Sequence, residues 1–198
     1  MKKKIAILGS TGSIGKSTID ILRKDKKNFD VVLLTTNNNY REILKQAKEF
    51  KARNIIINNK KHFLTLKKKL RNNKINIFNN FQSFNNKFKS KIDFSMSAIS
   101  GLEGLKPTLD LIKFSKTIAI ANKESIICAW NLIQQRLNKY KTKFIPVDSE
   151  HFSIWSLLNG NSSNSVEEII ITASGGPFLK LSLNKFKKIK PQIAVNHP

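Results

Sequence analysis

Residues 5–15 read Ile-Ala-Ile-Leu-Gly-Ser-Thr-Gly-Ser-Ile-Gly, an apolar run that breaks into three glycines within seven residues. The run is short and continuous, as in a strand buried on both faces, and strands of that kind belong to parallel sheets covered by helices. The pattern then alternates. Val31–Thr35, Asn54–Ile57, Ile75–Phe78, Phe94–Ile99, Thr117–Ala121 and Phe144–Val147 are predicted strands. Amphipathic helical stretches lie between them: Ser17–Arg23, Glu42–Phe50, a Lys-rich run through Phe63 and Leu70, Leu105–Phe114 and Glu124–Leu137. Strand–helix alternation at this spacing predicts βαβ units and an α/β class. The Asn-rich stretch 72–86 carries Phe78, Phe81 and Phe84 and reads as packed.

The net charge is +23, from 36 Lys+Arg against 13 Asp+Glu. Such a surplus raises nucleic acid as a partner. Only five of the 36 are Arg, however, and the lysines are scattered among asparagines, as in Asn58-Asn59-Lys60-Lys61. This reads as a compositional bias on solvated faces, because base and phosphate recognition favours the planar Arg fork. One cysteine, Cys128, leaves no internal disulfide and fits a reducing compartment. No apolar run approaches a membrane span, and the four apolar residues after Lys2-Lys3-Lys4 are too few for a signal peptide. A cytoplasmic location is expected, with neither membrane nor nucleic acid as a partner.

Five segments carry chemistry. Gly9-Ser10-Thr11-Gly12-Ser13-Ile14-Gly15 follows a strand and opens a helix, where small residues and free N–H groups suit a pyrophosphate. A glycine-rich turn without a ligand is the alternative. The second strand ends Thr35-Thr36-Asn37-Asn38-Asn39 with no acid to hold a free ribose 2′-hydroxyl, so a 2′-phosphate fits better. Asn122-Lys123-Glu124-Ser125 follows a strand and reads either as a ligand-contacting turn or as a capped helix start. In Pro146-Val147-Asp148-Ser149-Glu150-His151, an extended backbone would point Asp148 and Glu150 to one side, giving two carboxylates to a hard divalent cation. An exposed acidic helix start is the alternative. Thr172-Ala173-Ser174-Gly175-Gly176-Pro177-Phe178, after a predicted strand Glu168–Thr172, suits an oxyanion or is a plain turn.

Taken in order and spacing, GSTGSIG at 9–15, NKES at 122–125, VDSEH at 147–151 and SGGPF at 174–178 resemble the 1-deoxy-D-xylulose 5-phosphate reductoisomerase family. The resemblance covers the whole chain. It implies a Rossmann-like parallel sheet with helices on both faces over 1–147, and over 148–198 the incomplete beginning of an α+β catalytic domain. Thr11, Gly12, Ser13, Ile14, Asn39, Asn122 and Glu124 would contact NADPH. Lys123, Asp148 and Glu150 would be catalytic, with Asp148 and Glu150 holding Mg²⁺ or Mn²⁺, and Co²⁺ as a further candidate. Lys123, Ser149, Ser174 and His197 would contact a sugar-phosphate substrate. The family's loop after the second strand is Gly-Lys-Asn-like. Only Asn39 matches it here, so Arg41 is the candidate to replace the missing Lys near a 2′-phosphate. Family members run about twice as long, past the His197-Pro198 position into a flexible loop, a third metal-binding Glu and a helical domain. The given chain is therefore expected to be inactive alone and the full-length protein a homodimer. The implied reaction rearranges the carbon skeleton through an aldehyde and then reduces it, yielding 2-C-methyl-D-erythritol 4-phosphate. A basic nucleic-acid-binding module, or an NADP-dependent dehydrogenase without rearrangement, are the rival readings.

Overall fold

The computed structural model describes residues 1–70, 74–160, 165–171 and 176–195. They form two compact units, Met1–Trp155 and Ser156–Pro198.

In the first unit seven strands pair in parallel in the order β4-β3-β2-β1-β5-β6-β7: β1 (Lys3–Leu8), β2 (Phe29–Thr36), β3 (Asn54–Ile57), β4 (Asn76–Phe78), β5 (Ile92–Ser97), β6 (Ser115–Ile120) and β7 (Lys143–Pro146). The helices are α1 (Ser13–Lys24), α2 (Tyr40–Phe50), α3 (Lys60–Lys69), α4 (Phe81–Lys87), α5 (Leu105–Ile112), α6 (Lys123–Tyr140) and α7 (Ser149–Leu158). Alternate residues of one strand serve opposite faces. Ile5 and Ile7 of β1 pack with Ile19, Ile43 and Leu66 from α1–α3, while Ala6 and Leu8 pack with Phe84 and Leu111 from α4 and α5. Ile118 and Ile120 of β6 meet Ile133 and Leu137 of α6. Val32 and Leu33, adjacent in sequence, share a cluster because the register with β1 slips there: Ile5 pairs Val31, but Ala6 pairs Leu33. The expected Rossmann-like sheet with helices on both faces is thus borne out.

Two helices depart from expectation. The stretch around Phe81 is helical, because Asn80 caps it by accepting from Ser83 N–H at 2.8 Å and Phe84 is fully buried among Phe78, Phe81 and Phe88. The chain also turns helical directly after Asp148, and residues 149–155 belong to the first compact unit.

The second unit contains single helical turns at Gly176–Phe178 and Leu183–Lys188 and a short α8 (Pro191–Ala194). Residues 168–171 of the expected strand are in no strand, and Thr172 lies outside the described residues. Ile169, Ile170 and Ile171 have β propensity but pair with no strand among the described residues, and all three are exposed. Among the described residues, every buried apolar side chain lies in the first unit.

Candidate active site

Strands β2 and β5 flank β1 on opposite sides, so the strand order reverses at β1, and ligands of such sheets bind beyond the carboxyl ends of the strands at that point. The glycine-rich turn sits there. Gly9 has φ +74°, and a Cβ on it would lie 2.6 Å from the Ala98 carbonyl oxygen. A Cβ on Gly15 would lie 2.7 Å from Ser10 Cα, so its absence lets α1 dock on the turn. Gly12 differs: its φ is −79°, and a Cβ would meet only the Gly9 oxygen, at 3.4 Å. Internal packing therefore needs the first and third glycines, while the second faces open space. No side chain caps the start of α1 and no acid lies in its first turn, which leaves its N–H groups for an anion.

Side chains from the end of β2 and from α2 hold this turn. The Thr35 hydroxyl accepts from Gly9 N–H at 2.9 Å, and Ser10 N–H donates to the Thr35 carbonyl at 3.0 Å. Thr11 and Thr36 hydroxyls bond at 2.7 Å. Gln46, fully buried on α2, donates to the Ser10 carbonyl at 3.0 Å.

Two pockets open along this edge. The larger, about 760 Å³, lies between Gly9, Thr11 and Gly12 on one side, the 35–39 turn, and Ala98–Ser100 with Glu103. Asn39 lines it and caps α2 by accepting from Glu42 N–H at 3.2 Å. Among the described residues, no Lys or Arg lines it. Arg41 stands outside, exposed, its guanidinium against Tyr40, where it pulls the Tyr40 hydroxyl below its usual range.

The smaller pocket, about 380 Å³, shares Ala98–Ser100 and brings together Ile14, Asn122, Lys123, Glu124, Asp148, Ser149 and Glu150. Sequence positions over a hundred residues apart thus converge. Ser13, the first residue of α1, lines neither pocket. Ser174 and His197 lie outside the described residues.

The period-two placement of Asp148 and Glu150 is corrected, because Asp148 caps α7 and Glu150 lies in its first turn. Both still line the pocket, and Ser149 lines it with them, which strict alternation would not give. Asp148 Oδ1 accepts from His151 N–H at 3.0 Å and meets its Nδ1 at 2.5 Å. Burial pushes the Asp148 carboxyl up, but the His151 bonds outweigh it and hold the group below the usual carboxylate range. Asp148 is therefore ionised at neutral pH. Two carboxylates are a hard-oxygen donor set that fits Mg²⁺ or Mn²⁺ in part. Among the described residues no group of three or more His, Cys, Asp or Glu could hold a metal.

Family models described as 1-deoxy-D-xylulose 5-phosphate reductoisomerase and as its C-terminal domain match residues 5–130 and 144–198. The chain belongs to the 1-deoxy-D-xylulose 5-phosphate reductoisomerase family. The family's protein from Pelagibacter ubique (strain HTCC1062) is 60% identical over 198 residues, covering 99% of this chain and 51% of that protein. The one from the Wolbachia of Brugia malayi is 39% identical over 99% of this chain and 50% of its own. The Zymomonas mobilis reductoisomerase, solved in complex with NADPH, superposes with TM-score 0.87 at 35% identity, over 100% of this chain and 52% of that one. A reductoisomerase solved with NADPH, fosmidomycin and magnesium gives 0.78 at 29%, over 99% and 51%. The chain spans about half the length of the reductoisomerases it matches. The motif-based resemblance is borne out. Among the described residues no helix is long and apolar enough to cross a membrane.

Proposed function

We propose that this chain carries the NADPH site and part of the metal and substrate site of a 1-deoxy-D-xylulose 5-phosphate reductoisomerase, which converts that sugar phosphate to 2-C-methyl-D-erythritol 4-phosphate. The observation that carries the reading is the pair of pockets joined at Ala98–Ser100, one on the glycine turn and one on Asp148 and Glu150. Solved relatives held with NADPH and with magnesium support the same two ligands.

On this reading the backbone at Gly12 and the open N–H groups of α1 receive the pyrophosphate, with Thr11 at the wall. Asn39 lies at the adenosine side, and Arg41 can reach a 2′-phosphate by leaving Tyr40. Lys123 offers its ammonium to the anionic substrate, Glu124 borders the cofactor, and Asp148 and Glu150 would hold Mg²⁺ or Mn²⁺. The bound groups supply hydride and Lewis acidity. His151 keeps Asp148 oriented and ionised, as partners behind a metal ligand do. Residues 1–147 serve the nucleotide and 148 onward the metal and substrate, and the full-length protein works as a cytoplasmic homodimer.

The test uses the full-length enzyme with substrate, NADPH and Mn²⁺. Substrate-dependent NADPH oxidation giving the branched product is expected. Because Asn also caps helices, Asp148→Asn should leave the fold and NADPH affinity intact. Partners behind a metal ligand alone carry about 10–100-fold, so loss of the ligand should cost turnover more than about 100-fold. An unbranched product, or normal turnover in Asp148→Asn at limiting Mn²⁺, would overturn the assignment.

A further inference from the structure

Asn122 occupies a different position from the residues around it. Lys123 and Glu124 are exposed, whereas Asn122 is 2% exposed, although it borders the smaller pocket. Its amide hydrogens are both committed, Nδ2 donating to the Ile99 carbonyl and, at 2.6 Å, to the Gly101 carbonyl. Its Oδ1 accepts from Ser125 N–H at 2.7 Å, capping α6. One side chain therefore ties the loop after β5 to the first turn of the helix that carries Lys123 and Glu124. The loop is shaped to receive it. Gly101 has φ +73°, and a Cβ on Gly104 would lie 2.5 Å from the Ile99 oxygen and would collide with the Asn122 amide. Thr108 fixes Gly104 from behind, donating to its carbonyl at 2.7 Å and bonding Ser97 at 2.6 Å.

The clamped segment includes Ile99 and Ser100, which line both pockets. We propose that Asn122 is a positioning residue: it sets the wall shared by the two pockets against the start of α6, so that nucleotide and substrate groups meet in one register. This rests on the functional reading above. It assigns Gly104 a role as well, as the space that lets the Asn122 amide enter. A buried amide that reaches two carbonyls and one N–H cannot be replaced by Ser, which is too short to span both sides, nor by an ionised carboxylate, which presents acceptors to acceptors.

The test uses the 198-residue chain with NADP⁺ as probe, in wild type, Asn122→Ser, Asn122→Asp and Gly104→Ala. Ser and Asp both retain the helix cap, so the variants should fold. With no ligand present, amide exchange across 98–104 should speed up in Asn122→Ser and Gly104→Ala, and NADP⁺ should bind about tenfold or more weakly, the scale of two lost buried hydrogen bonds. Gly104 lines neither pocket, so its variant reports the brace without altering a ligand contact. In Asn122→Asp, protonation restores a donor, so its affinity relative to Asn122→Ser should rise as pH falls. The other titrating groups around the pockets, Glu103, Lys123, Glu124, Asp148 and Glu150, are common to both variants and cancel in the ratio. Weakened binding with unchanged exchange in the ligand-free chain would mean that Asn122 acts through ligand contact alone and overturn the proposal, as would unchanged binding in all three variants. Failure of the wild-type chain to bind NADP⁺ would instead contradict the functional reading, leaving the exchange result to judge the brace.

Discussion

Three glycines within seven residues do two different jobs. Gly9 and Gly15 are required by the fold, one for its positive φ and the other for helix contact. Gly12 is not, since its backbone suits any residue. Gly12→Val should therefore keep the melting temperature while weakening NADPH by about tenfold or more, through bulk placed where backbone must approach the pyrophosphate. Parallel thermal melts and NADPH titrations check this, and unchanged affinity in the folded variant would remove Gly12 from the site. The sequence marked these glycines because spacing after a strand is local information. It gave no sign of Gln46, and it marked Thr35 only as a strand end, because their roles arise only when α2 and the end of β2 come beside the turn. Asn122 was visible as a motif residue, but its burial and its two carbonyl partners depend on a loop some twenty residues earlier.

Apolar periodicity located the strands, as in Ile5–Leu8 and Asn54–Ile57, because both faces of a central strand are covered and leave a continuous apolar run. It missed α4, where Asn and Phe mask the helical period, and α7, where a capping Asp followed by Ser and Glu also fits an extended chain. Elements are also joined by charge. Arg23 of α1 and Lys26 hold Glu49 of α2, and the Arg23 bond lowers the Glu49 carboxyl to about 2. Lys116 of β6 and the Lys4 N–H of β1 lower Asp93 of β5. Both carboxylates are depressed in the folded chain, so their stabilisation is present above their ordinary values, 4.5 for Glu49, and is lost as pH falls toward 2. Denaturant titrations should show stability falling through this window. Glu49→Gln should shrink the fall by less than about 1 kcal/mol, since the pair is partly exposed. A pH-independent midpoint between 5 and 3 would contradict these pairings.

At the scale of the molecule, the larger pocket has, among the described residues, no cation in its lining and one acid, Glu103, on a chain of net charge +23. Anion binding there draws on backbone N–H groups, on Arg41 if it swings in from Tyr40, and on the field of the whole molecule, which salt weakens. The proposed metal site, by contrast, has two carboxylates among the described residues, and the chain spans about half the length of its relatives. The 198-residue chain should thus bind the nucleotide without turning over substrate. Fluorescence titration of that chain with NADPH and with NADH tests this most directly. Saturable binding, tighter for NADPH than for NADH and weakened by salt, is the predicted result. No NADPH binding by the folded chain, or equal affinity for both nucleotides, would contradict it.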